Sequence, residues 1–290
     1  MRLVIVSGLS GSGKSVALNM LEDLDYYCVD NIPAGLLPGF IAYTVRTSEP
    51  SYRLTAVGVD ARNRPEDLAD VPRLVAELRR SGIGCDVLFL RAGNDVLLKR
   101  FSETRRRHPL SRDGIGLQEA LEQEQRLLAP VATAADLTID TSHLSVHELR
   151  EMVKARVVER AGAGPSLLFE SFAYRHGVPD DADFVFDARS LPNPYWEPSL
   201  RELTGRDAPV ARFLDGDEEV ARFLADVTGF LERWMPSLVR SNRSYLTVAV
   251  GCTGGQHRSV YLAEKLAAHF NASFGQALVR HRDLASRRHE

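Results

Sequence analysis

The chain has 290 residues, 44% of them hydrophobic and 26% charged, and a net charge of −3. That length suits two domains of ordinary size, and the balance excludes a disordered or fibrous chain. No apolar run approaches the ~20 residues of a membrane span, and three scattered cysteines, Cys28, Cys85 and Cys252, offer neither a disulfide framework nor a zinc spacing, so a reducing, cytoplasmic setting away from any membrane is expected.

In chain order, β-branched apolar runs at Leu3 to Val6, Leu54 to Val59, Asp86 to Leu90 and Leu137 to Ile139 predict strands. A shorter run, Tyr26 to Asp30, has the same character. Between them, amphipathic spacing predicts helices at Ser15 to Leu24, Pro65 to Arg80, Asp95 to Arg105, Leu117 to Leu128 and Val146 to Val158. This alternation requires an α/β fold, a parallel sheet flanked by crossover helices. Ala161-Gly162-Ala163-Gly164-Pro165 then breaks any helix and sets a domain boundary, giving domains at 1–160 and 165–290. Further strands at Leu167 to Phe172, Phe184 to Phe186 and Tyr245 to Val250, with helices at Glu218 to Trp234 and Ser259 to Phe270, make the second domain α/β as well.

The first strand runs into Gly8-Leu9-Ser10-Gly11-Ser12-Gly13-Lys14-Ser15, the G-x-x-x-x-G-K-[ST] pattern of a P-loop. Its glycines let backbone N–H groups converge on phosphate oxygens, and the following helix directs its positive end at them. Lys14 is placed to reach the β and γ phosphates and Ser15 to hold Mg²⁺. A carboxylate at a neighbouring strand end must support the metal, and Asp60 and Asp30 both qualify; a helix cap or turn is the competing role for each. Arg105-Arg106-Arg107-His108-Pro109-Leu110-Ser111-Arg112 resembles the arginine-bearing lid of small P-loop kinases, with a solvated helix end or an RNA-facing surface as alternatives.

In the second domain, Gly251-Cys252-Thr253-Gly254-Gly255-Gln256-His257-Arg258-Ser259 again joins strand, glycine-rich turn and helix. Cys252 and Arg258 stand in the C-x5-R-[ST] spacing of cysteine-dependent phosphatases, in which N–H groups and an arginine cradle phosphate and a thiolate attacks. An anion site follows from that spacing. Gly251 in place of the usual histidine weakens the nucleophile reading. The loop Asp187-Ala188-Arg189-Ser190 through Trp196 follows a strand, where α/β ligand sites form, although a rigid surface loop has the same composition. A basic stretch, Arg280, His281, Arg282, Arg287 and Arg288, has the character of an RNA-contacting tail or of a solvated terminus.

Together the chain resembles the RapZ family of bacterial P-loop RNase adapters over nearly its whole length. The resemblance rests on the stretches at 8–15, 26–33 (YYCVDNIP), 60–63 (DARN), 104–111 (TRRRHPLS), 186–189 (FDAR), 191–196 (LPNPYW), 251–259 and 280–283 (RHRD). It implies ATP and GTP binding at Gly8 to Ser15 with at most weak hydrolysis, and a GTP-assigned stretch at Asp60, Ala61, Arg62 and Asn63. It implies an amino-sugar phosphate pocket at Asp187, Arg189, Cys252, Thr253, Gly254, His257 and Arg258, and RNA contacts from Arg280, His281, Arg282, Arg287 and Arg288. The implied partners are a small regulatory RNA, an endonuclease of the RNase E type and further copies of the chain. The function so implied is regulation of amino-sugar synthesis; a small-molecule P-loop kinase and a phosphatase acting from Cys252 are the alternatives.

Overall fold

The apolar runs and amphipathic stretches resolve into two parallel sheets in a computed structural model that describes residues 1–47, 49–104, 106–111, 115–158, 165–241, 243–274 and 277–284. The chain divides into two units, Met1–Glu159 and Arg160–Glu290.

The N-terminal unit has strands β1 (Arg2–Gly8), β2 (Tyr27–Val29), β3 (Leu54–Gly58), β4 (Gly84–Arg91) and β5 (Leu137–Asp140) in the order β2-β3-β1-β4-β5, all parallel. Leu3, Val4, Ile5 and Val6 are all fully buried, as a central strand covered by helices on both faces demands. The crossovers are α1 (Lys14–Glu22), α2 (Leu37–Thr47), α3 (Pro65–Arg80), α4 (Asn94–Thr104) and α5 (Leu117–Thr133); α6 (Val146–Val153) follows β5. Ser145 and Glu148 close a capping box at the start of α6, satisfying two otherwise orphaned donors, and its last residues pass into π-helical turns at Lys154–Val158. From β1 the chain builds first toward β3 and β2 and then toward β4 and β5. The crevice at the C-terminal end of β1 is therefore the switch point at which α/β sheets bind ligands.

The C-terminal unit has β6 (Ser166–Ala173), β7 (Phe184–Asp187), β8 (Tyr245–Cys252) and β9 (Ala277–His281) in the order β7-β8-β6-β9, again parallel. Helices α7 (Ala208–Asp215), α8 (Glu218–Arg240) and α9 (Arg258–Phe274) complete it. Asp217 caps α8 by accepting Glu219 N–H at 2.9 Å and Val220 N–H at 3.1 Å. Its core joins Phe169 on β6 to Phe270 on α9, ring centroids 5.5 Å apart, with Val248, Val250, Leu262 and Leu266.

Five elements depart from the sequence reading. The sequence reading placed no helix at α2, which begins across Pro38-Gly39, or at α7, which carries its proline in the first turn. Helices α5 and α8, expected to end at Leu128 and Trp234, run past Pro130 and Pro236. Arg280 and His281 belong to strand β9 instead of a tail: Glu170 pairs with Arg280 and Ser171 with His281 in the β6–β9 register. The boundary residues 161–164 lie outside the described residues.

Candidate functional site

At the end of β1 the backbone turns on glycines that nothing else can replace. Gly8 has φ +144° and a Cβ there would lie 2.1 Å from the Leu90 carbonyl oxygen; Gly13 has φ +103° and its Cβ would meet Leu149 at 2.6 Å. Gly13 caps α1 without a side chain, so the first N–H groups of the helix, at Lys14, Ser15 and Val16, have no intrahelical acceptor and face outward as anion donors. Other loop donors are already engaged: Leu9 N–H by Leu90 O at 3.0 Å and Ser12 N–H by Leu9 O at 3.0 Å. Lys14 folds back so that Nζ donates to Gly8 O at 2.8 Å.

The loop is held from behind by side chains of other elements. Glu124 on α5 accepts the Ser10 N–H at 2.8 Å and the Ser10 hydroxyl at 2.7 Å. Arg100 on α4 donates to Gly11 O at 3.0 Å and to Thr141 O at 2.6 Å, and the Thr141 hydroxyl donates to Ser12 O at 3.0 Å. The sequence reading singled out none of these three. Glu124 left a trace there: it occupies the apolar stripe of α5 between Leu121 and Leu128, where a hydrophobic residue belongs.

The loop floors a cavity of about 720 Å³ whose cations are Lys14, Arg62, Arg100, Arg106 and Arg107 and whose carboxylates are Asp30 and Asp60. Both acids proposed for magnesium thus share the cavity with Ser15. Burial lowers the Lys14 ammonium pKa below its ordinary value, against the opposing pull of Glu124, Asp60 and Asp30. Burial raises the Asp60 carboxyl, but hydrogen bonds from Arg62 and the charges of Lys14 and Arg62 outweigh it, and the net displacement is downward. Arg62 binds Asp60 through its backbone N–H at 3.0 Å, Nε at 3.0 Å and Nη2 at 2.5 Å. Of the other two residues in that stretch, Ala61 is buried in the core, and Asn63 has both amide atoms engaged, Oδ1 by Ala34 N–H and Nδ2 by Asp60 O. The cradle of N–H groups, the half-buried lysine and the serine beside two carboxylates match the groups that a nucleoside triphosphate with Mg²⁺ requires. Arg105 and Arg112 lie outside the described residues.

In the second unit, β7 and β8 bring the anticipated residues together: Asp187 pairs with Gly251, and Ala188 N–H donates to Gly251 O at 2.8 Å. Gly251 stands where phosphatases carry histidine because a Cβ would come within 2.4 Å of the Phe172 ring and 2.5 Å of Tyr174. Asp187 accepts Arg189 N–H at 2.9 Å and its Nη2 at 2.7 Å, while the Arg189 guanidinium lies 3.9 Å above the Tyr174 ring. Cys252 Sγ is buried, 3.1 Å from Ser259 Oγ. Arg258 is buried and donates through Nη1 to Arg189 O at 2.8 Å and Leu191 O at 3.0 Å; Nη2 lies 3.5 Å from Thr253 Oγ1, and Nε has no hydrogen-bond partner among the described residues. His257 turns away from the loop to Leu200 O at 3.1 Å, and Gln256 donates to Leu203 O at 2.6 Å. Thr253 and Gly254 are left at the accessible rim.

The basic stretch is largely engaged within the unit. Arg280 Nη1 lies 2.9 Å from Glu170. His281 meets Ser171 at 2.8 Å and Glu264 at 3.1 Å. Arg282 donates to Asp283 at 3.2 Å and to Gly177 O at 2.6 Å. Arg287 and Arg288 lie outside the described residues. Among the described residues no helix is long and apolar enough to cross a membrane, and no group of three His, Cys, Asp or Glu side chains is placed to hold a metal ion.

A parallel sheet ordered 2-3-1-4-5, with a glycine-turned loop between its central strand and first helix, defines a P-loop protein, here joined to a second α/β unit. The chain belongs to the RapZ family: the RapZ-like N-terminal domain matches residues 1–161 and the RapZ C-terminal domain residues 165–285. It is 54% identical over 286 residues to a nucleotide-binding protein of Thioalkalivibrio sulfidiphilus, covering 98% of this chain and all of that one. It is 53% identical to a nucleotide-binding protein of Alkalilimnicola ehrlichii, covering 98% of each. Among solved structures, shikimate kinase from Bacteroides thetaiotaomicron aligns with 53% of this chain and 98% of its own, at 15% identity and a TM-score of 0.34.

Proposed function

We propose that this chain binds ATP or GTP with Mg²⁺ in the N-terminal cavity and acts as a regulatory RNA adapter, its C-terminal unit taking an amino-sugar phosphate. The observation that carries the reading is the P-loop itself, with glycine-only geometry, outward N–H groups and a half-buried lysine in one cavity. Ser15 would hold the metal with Asp60 or Asp30, and the bound ion would neutralise charge on the phosphates. The nucleotide-binding relatives and the match of both halves to RapZ domains support nucleotide binding.

In this reading the phosphosugar sits at the ends of β7 and β8, on the rim at Thr253 and Gly254. A small regulatory RNA is the partner, presented to an RNase E-type endonuclease by an oligomer of the chain in the cytoplasm. Because Arg280 and Arg282 are engaged by carboxylates and carbonyls, phosphate contact with RNA would fall chiefly to Arg287 and Arg288. A small-molecule kinase is the second reading, favoured by Arg106 and Arg107 on the cavity wall. Burial of Cys252 and engagement of Arg258 Nη1 by the Arg189 and Leu191 carbonyls argue against a phosphatase.

Titration of the full chain with ATP and GTP tests the core of this reading. Lys14→Ala should lower affinity about 100-fold, since one charged donor to phosphate contributes up to ~3 kcal/mol; undiminished binding would defeat it. The adapter role is tested by retention of total small RNA at two salt concentrations. Arg287→Ala with Arg288→Ala should weaken retention and flatten its salt dependence while leaving β9 intact. Rapid phosphoryl transfer to a small acceptor, with no RNA retained, would select the kinase.

A further inference from the structure

Glu124 is a buried acid directly behind an anion site. Its side chain is fully buried, as is that of His108, whose Nε2 lies 3.0 Å from the carboxylate. Leu110 N–H donates to His108 Nδ1 at 3.1 Å. Nδ1 is therefore the acceptor, and Nε2 carries the hydrogen given to Glu124. With the two bonds from Ser10, the carboxylate has three donors, one from the segment at 106–111 and two from the P-loop.

Such an arrangement is a poor way merely to fill a core. A buried carboxylate is costly unless fully hydrogen bonded, and an aliphatic residue at this position of the α5 stripe would pack without that cost. A negative charge behind the P-loop also opposes a phosphate in front of it. What the acid supplies is a rigid link between Ser10 and His108. The two residues before His108 are Arg106 and Arg107, both exposed on the cavity wall and, among the described residues, not paired with any carboxylate. Phe101, 5.3 Å from the His108 ring, closes the other side of the imidazole.

We infer that Glu124 and His108 are positioning residues for the nucleotide: the Ser10–Glu124–His108 hydrogen bonds hold Arg106 and Arg107 against the P-loop so that the cavity selects a nucleoside triphosphate over a diphosphate. The inference rests on nucleotide binding at the P-loop and adds the class of nucleotide chosen and the device that chooses it. Lys14 and the N–H cradle serve both nucleotides; the two arginines distinguish them because the triphosphate carries the additional negative group.

The test is calorimetric titration of the full chain with ADP and with a non-hydrolysable ATP analogue, each with Mg²⁺. The ratio of the two affinities is the readout, because general damage to the fold weakens both alike. Arg106→Ala with Arg107→Ala, both at the surface, should reduce the triphosphate preference about tenfold or more. His108→Leu should reduce it comparably. His108→Gln, which keeps a donor toward Glu124, should restore most of it. Combining His108→Leu with the arginine pair should produce no further loss, since coupled residues are not additive. A wild-type chain without triphosphate preference, a His108→Leu chain with the ratio unchanged, or losses that add independently would overturn the inference. Binding of neither nucleotide by the wild type would instead remove the nucleotide reading on which it stands.

Discussion

Two glycine-rich loops close a central strand in the two units, and they are stabilised in opposite directions. The loop at 8–15 is held by its surroundings: Glu124, Arg100 and Thr141 reach in from three other elements and engage its backbone. The loop at 251–259 holds its surroundings: Gln256, His257 and Arg258 reach out from it to carbonyls at Leu203, Leu200, Arg189 and Leu191. In the first, outward donors remain for a ligand. In the second, the most conspicuous side chains are already part of the scaffold, and a cysteine and arginine in phosphatase spacing serve the fold before they serve chemistry. The same sequence logic, strand then glycines then helix, therefore yields one loop built around a ligand and one built around a neighbouring segment.

The largest effect that would break this contrast is at Arg258. Arg258→Ala removes a buried cation that donates to two carbonyls and leaves both without that donor, which should cost about 3–4 kcal/mol. Scanning calorimetry of the full chain should show this as a lowered transition of the C-terminal unit, and Lys14→Ala should leave both transitions nearly in place. If Arg258→Ala leaves calorimetry unaltered, the second loop is not a structural clamp.

The two buried glutamates sharpen the comparison. Glu124 has three donors; Glu170 on β6 is equally enclosed but, among the described residues, meets only the Arg280 guanidinium, without hydrogen-bond geometry to either oxygen. Burial pushes the Glu170 carboxyl from its ordinary 4.5 up to about 7, in spite of Arg280. The folded state then holds a proton that the unfolded chain releases. Its contribution is fully present below pH 4.5 and is lost as pH rises toward about 7, a change of about 3 kcal/mol. Subtracting the stability–pH curve of Glu170→Gln from that of the wild type should isolate this fall between pH 4.5 and 7. A difference curve without slope in that window would show that Glu170 titrates as an ordinary carboxylate.

The P-loop was legible because its requirements are local: the apolar run of β1, the glycine spacing and the following amphipathic helix all lie within 22 residues of the N-terminus. Asp60 was legible for a related reason, as a carboxylate at a strand end, and it does reach the cavity. What escaped depends on partners distant in sequence. Glu124 and Ser10 are 114 positions apart, and only the interruption of an apolar stripe hinted at the contact. Strand β9 was hidden because its Arg280 and His281 have the composition of a solvated terminus; their partners Glu170 and Ser171 lie 110 positions upstream. The apolar spacing ended two helices at Leu128 and Trp234, each two residues before a proline, whereas packing of the buried stripe carries both helices past Pro130 and Pro236.

The smallest predicted effect concerns a tripeptide that occurs in both units. Asp60-Ala61-Arg62 follows β3 and Asp187-Ala188-Arg189 spans the end of β7; in each, the carboxylate accepts the backbone N–H and the guanidinium of the arginine two residues on, and the alanine is buried. Local geometry alone would assign the two turns the same weight. The surroundings differ: the Asp60 side chain is 7% exposed and lies near Lys14, whereas that of Asp187 is 42% exposed. The two arginines are about equally exposed, so the difference lies in the carboxylates; water screens the second pair more than the first, and the same hydrogen bonds should be worth less in it. Asp60→Asn keeps an acceptor for the N–H but removes the charge opposite Arg62, and should lower stability by about 1–2 kcal/mol. Asp187→Asn should cause no measurable change. Equal losses in thermal unfolding would mean that the turn itself, and not the burial of its carboxylate, sets the strength of the pair; the distinction between a site embedded in the first unit and one resting on the surface of the second would then fail at its simplest point.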